Sequence, residues 1–446
     1  MSTELKNKLL PRLRFPEFKD AGEWEKDTLI NIASFRRGSF PQPYGLPEWY
    51  DNENGLPFIQ VFDVDENFKL KLNTKNRISE LAAKQSVFIP KGTLIITIQG
   101  SIGRVAITQY DAYIDRTLLL FEKFYREIDL TFFAYTIFLL FEIEKQKAPG
   151  GIIKTITKEV LSNFIVPIPS LPEQKKIASC LSSLDELIEA ESQKLELYQQ
   201  HKKGLLQNLF PQEGEKVPKL RFPEFKNAGE WEVKKLGEVY HFLFTNSFSR
   251  ENLNYENGFV KNIHYGDIHT KFSTLFDITK ERVPFVNPDI SIDKIREESY
   301  CKEGDIVFAD ASEDLNDVGK SIEIINLNGE KLLAGLHTLL ARQIKKEIVI
   351  GFGGYLFKSD WIRKQIQRES QGAKVLGISA SRISNVKISY PKNPEEQQKI
   401  ASCLSSLDEI ITAQTQKIAL LQQHKKGLLQ NLFPQAISNF ELRIKN

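Results

Sequence analysis

Between residues 177 and 209 the chain places Ile177, Leu181, Leu184, Ile188, Glu191, Leu195, Tyr198, Lys202, Leu205 and Leu209 in alternating steps of four and three. The same steps return at Ile400, Leu404, Leu407, Ile411, Gln414, Ile418, Leu421, Lys425, Leu428 and Leu432. A stripe so spaced stays on one face of an α-helix and makes a coiled-coil seam, which predicts two long helices. The polar seam positions, Glu191 with Lys202 and Gln414 with Lys425, disfavour slipped registers at some cost in stability. Pro172 and Pro394 suit a first helical turn, Asn393 is a candidate cap for the second helix, and Pro211 and Pro434 stop the two helices. Each helix would be roughly 58 Å long at 1.5 Å per residue. The expected partner of each seam is the other copy, paired antiparallel, with one globular domain at each end.

The two helices are also a repeat: residues 174–212 and 397–435 agree at 31 of 39 positions. A shorter block, 11–25, agrees with 218–232 at 13 of 15 positions. What lies between block and helix differs in the two halves, and the second variable segment is 16 residues longer, as surface-loop insertions allow. Strand patterns appear at 94–98, 105–107, 305–308 and 321–325, where β-branched and aromatic residues are bounded by Gly, Asn, Asp and Ser. Stretches 130–147 and 352–369 have the pattern of amphipathic helices. The predicted fold class is α+β with an internal pseudo-twofold repeat. Its domains are a first globular domain at 1–170, a first spacer helix at 171–212, a second globular domain at 213–392, a second spacer helix at 393–435 and a tail at 436–446.

Composition adds little direction. The chain has 446 residues, 41% hydrophobic and 26% charged, which is the make-up of a soluble globular protein large enough for two or three cores. No run of eighteen apolar residues occurs and the N-terminus lacks the apolar stretch of a secretory signal, so a cytoplasmic location is expected. Cys180, Cys301 and Cys403 form no paired spacing, which points away from zinc sites and disulfides. Sixty basic residues against 58 acidic ones leave a net charge of +2, which by itself indicates no polyanion partner.

Familiar catalytic patterns are missing or broken. Gly319-Lys320-Ser321 ends like a phosphate loop, but Asp314 stands where the motif needs its first glycine. Glu17-Phe18-Lys19 and Glu224-Phe225-Lys226 carry a Glu-x-Lys spacing without a second acidic residue to hold a metal, and read as a lead-in that packs Phe15, Phe18 and Trp24 on the domain.

The helices open with Pro172-Glu173-Gln174-Lys175-Lys176-Ile177-Ala178 and, with one extra Glu, Pro394-Glu395-Glu396-Gln397-Gln398-Lys399-Ile400-Ala401. Each opening follows a strand leading to a proline, with Pro167-Ile168-Pro169 in the first half and Ser389-Tyr390-Pro391, lacking the first proline, in the second. Together with the layout of variable domain and constant helix twice over, this resembles the DNA-specificity subunit of type I restriction-modification enzymes. The resemblance covers nearly the whole chain and is carried by the helices and the repeat. It implies a non-catalytic subunit with two target-recognition domains, each reading half of a bipartite double-stranded DNA sequence, spaced by the helix pair. It also implies two methyltransferase (modification) subunits and restriction (translocase/nuclease) subunits as partners. No cofactor is expected on this chain; S-adenosylmethionine, ATP and magnesium belong to the partners. The alternatives are a coiled-coil scaffold whose two domains bind ligands other than DNA, or an enzyme with an unrecognised site.

For base reading and phosphate contact, loops and strand ends offer Arg36, Arg37, Gln60, Gln99, Ser101, Arg104, Arg116 and Lys154 in the first half. The second half offers Asn246, Arg250, His264, Tyr265, Lys320, His337, Lys374 and Arg382. Residues 100–104, with two glycines, fit either a close approach to phosphate or a plain hairpin turn. The clusters 201–203 and 424–426, each His-Lys-Lys, read as solvated helix ends or a docking patch, since identical residues carry no discrimination.

Overall fold

The structure, a computed structural model, describes residues 9–147, 156–372 and 374–438. The two seams become helices Leu171–Asn208 and Pro394–Leu432. Every predicted seam position is buried or half-buried, including the polar ones. Asn393 caps the second helix by accepting from the Glu395 amide at 2.9 Å. The chain forms two compact units, 1–192 with 416–446, and 193–415, so each long helix passes from one unit into the other.

In the first unit, a four-stranded sheet runs Ala33–Arg37, Leu118–Phe124, Leu94–Thr97, Val105–Ile107. A second one runs Asn76–Ile78, Leu56–Ile59, Ala112–Ile114, Val87–Ile89. Helix Leu130–Lys147 is present at its predicted bounds, but residues 132–137 are buried on every side. It is a core helix, not an amphipathic one, because it is packed between a sheet and the ends of both long helices. One core contains Phe132, Phe133 and Phe141, with Ile177, Ala178 and Leu181 from the start of the first long helix and Leu429, Leu432 and Phe433 from the end of the second. Ion pairs give the direction: Asp185 pairs with Lys425, and Glu191 with Lys417, so rising numbers on one helix meet falling numbers on the other. The helices are antiparallel there.

The second unit repeats the plan. A five-stranded sheet runs Tyr240–Leu243, Thr338–Gln343, Ile306–Ala309, Ser321–Asn326, Leu275–Asp277, and a four-stranded one Leu253–Asn254, Phe285–Val286, Lys261–Ile263, Leu332–Ala334. Its core unites Leu209 and Phe210 with Ile400, Ala401 and Leu404, again the end of one long helix against the start of the other. The predicted helix 352–369 is divided into Phe352–Leu356 and Asp360–Glu369. Ser359 turns extended and its hydroxyl donates to the Leu356 carbonyl at 2.7 Å, which closes the first piece.

The short repeated block is the strap that ties each domain to its helices. Arg14 and Arg221 bind Glu173 and Glu396 through two nitrogens each, and the indoles of Trp24 and Trp231 donate to the same carboxylates at 3.3 and 3.2 Å. Glu17 pairs with Lys176 and Glu224 with Lys399, which gives the Glu-x-Lys motif the structural role expected of it.

The two His-Lys-Lys clusters need a correction. His201, Lys203 and His424 are exposed, but Lys202 is only half-exposed and pairs with Asp408, which also accepts from the Tyr355 hydroxyl at 2.7 Å. Lys425 pairs with Asp185, which accepts from the Tyr135 hydroxyl, and its ammonium lies over the rings of Phe68 and Tyr135. These lysines are anchors between helices and domain because a seam position faces inward, where a cation needs an anion.

Candidate nucleic-acid interface

Each unit builds the same frame from a parallel strand pair. Ile59 sits opposite Ile114, and Ile263 opposite Ala334. One residue further on, Asp115 donates its amide to the Ile59 carbonyl at 3.0 Å, and Gly335 donates to Ile263 at 2.9 Å. The first strand of the other sheet leads into this corner as well: Ser39 donates to Ile114, and Asn246 to Ala334, both at 3.1 Å. The approach leaves no room for a side chain at Gly38, where a Cβ would lie 2.3 Å from the Ile114 carbonyl oxygen. By this hydrogen-bond pattern Gln60 and His264 occupy equivalent positions, and the two halves place different chemistry there.

In the first unit Gln60 donates to the Tyr44 hydroxyl at 2.7 Å and accepts from Asn76 at 2.6 Å. Tyr44 donates to Asp115 at 2.7 Å, and burial together with that carboxylate raises the phenol above its ordinary pKa. Arg116 is exposed with its guanidinium 5.4 Å from the Tyr44 ring centre, and exposed Lys75 stands over Phe62. Gln99 and Ser101 lie in the turn after strand Leu94–Thr97; Ile98 donates to Thr117 at 3.0 Å, and a Cβ on Gly100 would lie 3.5 Å from Val61, next to Gln60. Residues 98–104 are thus the turn of a hairpin, with Gly100 and Gly103 at positive φ. Arg37 is exposed at the strand end that enters this corner. The structure therefore gathers Arg37, Gln60, Gln99, Ser101 and Arg116. Arg36 instead pairs with Glu122, and Arg104 is held by Glu66 and the Val64 carbonyl. Lys154 lies outside the described residues.

In the second unit His264 and Tyr265 stack with ring centres 4.7 Å apart, and His337 meets Tyr265 edge-on at 5.4 Å. His337 contacts Asp310 at 3.2 Å, and His269 contacts the Ala311 carbonyl at 3.0 Å. Arg250 reaches Asp267 through two nitrogens at 2.8 Å, and Lys271 reaches it at 2.9 Å. Burial works to raise the Asp267 carboxyl pKa, but the two cations outweigh it and hold it below its ordinary value. His264 is pushed down, first by burial and then by Arg250. Asn246 is committed to Asn262 and the Ala334 carbonyl, and Lys320 donates to the His269 carbonyl at 2.6 Å. Arg382 is bound to the Glu369 carbonyl at 3.1 Å, and Lys374 is exposed in a bend. His264, Tyr265 and His337 thus come together, with Arg250, Asn246 and Lys320 as their supports, while Arg382 is engaged elsewhere.

Sequence reasoning missed Tyr44, Lys75 and Asn76 in one corner and His269 and Asp310 in the other. The signal for Tyr44 was the rigid Pro41-Gln42-Pro43 lead; the others have none, since strand pairing alone brings them in. The first corner offers amide, phenol and guanidinium groups and the second adds imidazoles, all of which donate to or accept from base edges and phosphates. Among the described residues no group of His, Cys, Asp and Glu has the geometry to hold a metal, and no helix is long and apolar enough to cross a membrane.

The two units thus repeat one frame, tied by the same strap to the long helices, and place different side chains at its corner. The chain belongs to the type I restriction modification DNA specificity domain family, whose model matches residues 23–197 and 228–423. It is 26% identical over 407 residues to the type I restriction enzyme MjaVIII specificity subunit of Methanocaldococcus jannaschii, covering 87% of this chain and 90% of that one. It is 27% identical over 172 residues to the EcoBI specificity subunit of Escherichia coli, covering 36% and 35%. The fold is similar to the crystal structure of a type I restriction-modification S subunit from M. genitalium, with a TM-score of 0.57 at 16% identity, over 96% of this chain and 99% of that one.

Proposed function

We propose that this chain is the DNA-specificity subunit of a type I restriction-modification complex and reads a bipartite double-stranded target, one half through each corner. The observation that carries this is the contrast between repeated frame and divergent corner: the helices agree at 31 of 39 positions, while Gln60 in one corner is answered by His264 in the other. Two like partners need two like docking surfaces, whereas two different half-targets need different side chains. Methyltransferase subunits dock on the repeated helices, restriction subunits join them, and S-adenosylmethionine, ATP and magnesium are held by those partners. The work is done in the cytoplasm, where the DNA is. Exposed Arg37, Lys75, Arg116 and Lys374 serve the phosphates, and the corner residues serve the bases.

The test is binding of the full chain, in complex with its modification subunit, to duplex DNA selected from a random pool. Specific binding is expected to need both half-sequences, and scrambling either one should reduce it to the non-specific level. Binding indifferent to both halves would favour the scaffold reading.

A further inference from the structure

The two imidazoles of the second corner are held in different tautomers by their neighbours. Gly266 donates its amide to His264 Nδ1 at 3.1 Å, so that nitrogen is the acceptor and the ring proton lies on Nε2. His264 therefore offers a hydrogen-bond donor, and protonation at Nδ1 would break the bond to Gly266. Burial and the nearby Arg250 disfavour that protonation further. For His337 the arrangement is reversed: its Nδ1 lies 3.2 Å from a carboxylate oxygen of Asp310, which only accepts. With the proton on Nδ1, Nε2 is left as the acceptor.

The backbone fixes this ring where it is. His337 has φ 56°, a left-handed conformation uncommon outside glycine, and its carbonyl accepts from the Asp310 amide at 3.0 Å. Its side chain is 50% exposed. Strain kept on an exposed, oriented imidazole points to a use for it.

We propose that His264 and His337 determine specificity for the second half-target. His264 acts as a fixed donor to a purine N7 or a keto oxygen. His337, with Nε2 as the acceptor, selects a base that presents an exocyclic amine, adenine or cytosine. This rests on the DNA-recognition reading above. His337 touches Asp310 and the edge of Tyr265, and the Tyr265 ring in turn stacks on His264 and meets His269 on helix Tyr265–Thr270. Behind them, Arg250 and Lys271 are neutralised in large part by buried Asp267. The first corner has an amide, Gln60, where the second has His264, and no histidine precedes His201. The imidazole pair therefore acts on one half-target only.

The test uses the full chain with its modification subunit and a randomised duplex pool, selected with the native chain and with two variants. At one position of one half-target, an amino base should be enriched by about tenfold over a keto base. His337→Gly, which tolerates positive φ and removes the acceptor, should lose that preference and leave the other half-target unchanged. Gln60→Ala should alter the other half and so identify it. A half-target with no preference for an amino base, or one whose preference persists in His337→Gly, overturns the proposal and leaves bipartite recognition standing. A pool in which no bipartite motif is enriched overturns both.

Discussion

Arg14 delivers Nε and Nη2 to the two carboxylate oxygens of Glu173, each at 2.7 Å, with side chains 9% and 1% exposed. Such a two-pronged pair fixes orientation as well as distance. It joins the repeated block near the N-terminus to the first turn of the helix that follows the domain, so the domain's two ends are closed on each other. Arg221 and Glu396 do the same in the second unit.

Removing one partner leaves a charge in an enclosed place. Arg14→Ala is expected to lower the stability of the first unit by about 3 kcal/mol or more, because Glu173 is then left with only the Trp24 indole. Denaturant unfolding followed by Trp24 fluorescence reads this. A loss below about 1 kcal/mol would mean that water reaches Glu173 after all.

Tyr135 and Asp185 are coupled in the same sense, through a hydroxyl donating to a carboxylate that also serves Lys425. Tyr135→Phe should cost about 1.5 to 3 kcal/mol, the usual range for a hydrogen bond to a charged group. In a double-mutant cycle with Asp185→Asn, most of that cost should disappear, since the neutral amide no longer depends on the phenol. Additive losses would show that the two side chains act independently.

Glu323 gives the second unit a pH dependence. Its carboxylate accepts from the Gly354 amide at 2.6 Å, its other oxygen has no hydrogen-bond partner among the described residues, and burial pushes its pKa from 4.5 up to about 7. A pKa raised by folding means that the neutral form is favoured in the fold. The associated stability is full below about pH 4.5 and lost as pH rises through about 7. Measured against Glu323→Gln, the native chain should lose on the order of 3 kcal/mol of second-unit stability between pH 5 and pH 8. Equal pH profiles for the two proteins would rule this out.

Gln60→Ala should relax discrimination in one half-target by about 1 to 3 kcal/mol and leave the other half unchanged. Arg116→Ala should weaken binding to all sequences alike and reduce its salt dependence, as a phosphate contact does. Competition binding against singly substituted duplexes at two salt concentrations separates the two effects. An Arg116→Ala loss confined to one base pair would place that side chain on a base edge instead.

The sequence by itself determined the helices, their seam, their stops and the internal repeat, because a period of three and four and a proline act on neighbours in the chain. It also determined the strands at 94–97 and 306–309 within a residue. The tertiary structure decided the rest. Gln60 meets Tyr44 and Asn76, and Tyr265 meets His337, only because parallel strands bring distant segments to one corner, and polar residues on loops look alike until that pairing is known. The same holds for Lys202 and Lys425, whose anions and aromatic neighbours come from a second helix and a distant domain segment. Local periodicity tells which face a lysine is on, but long-range packing tells what waits for it there.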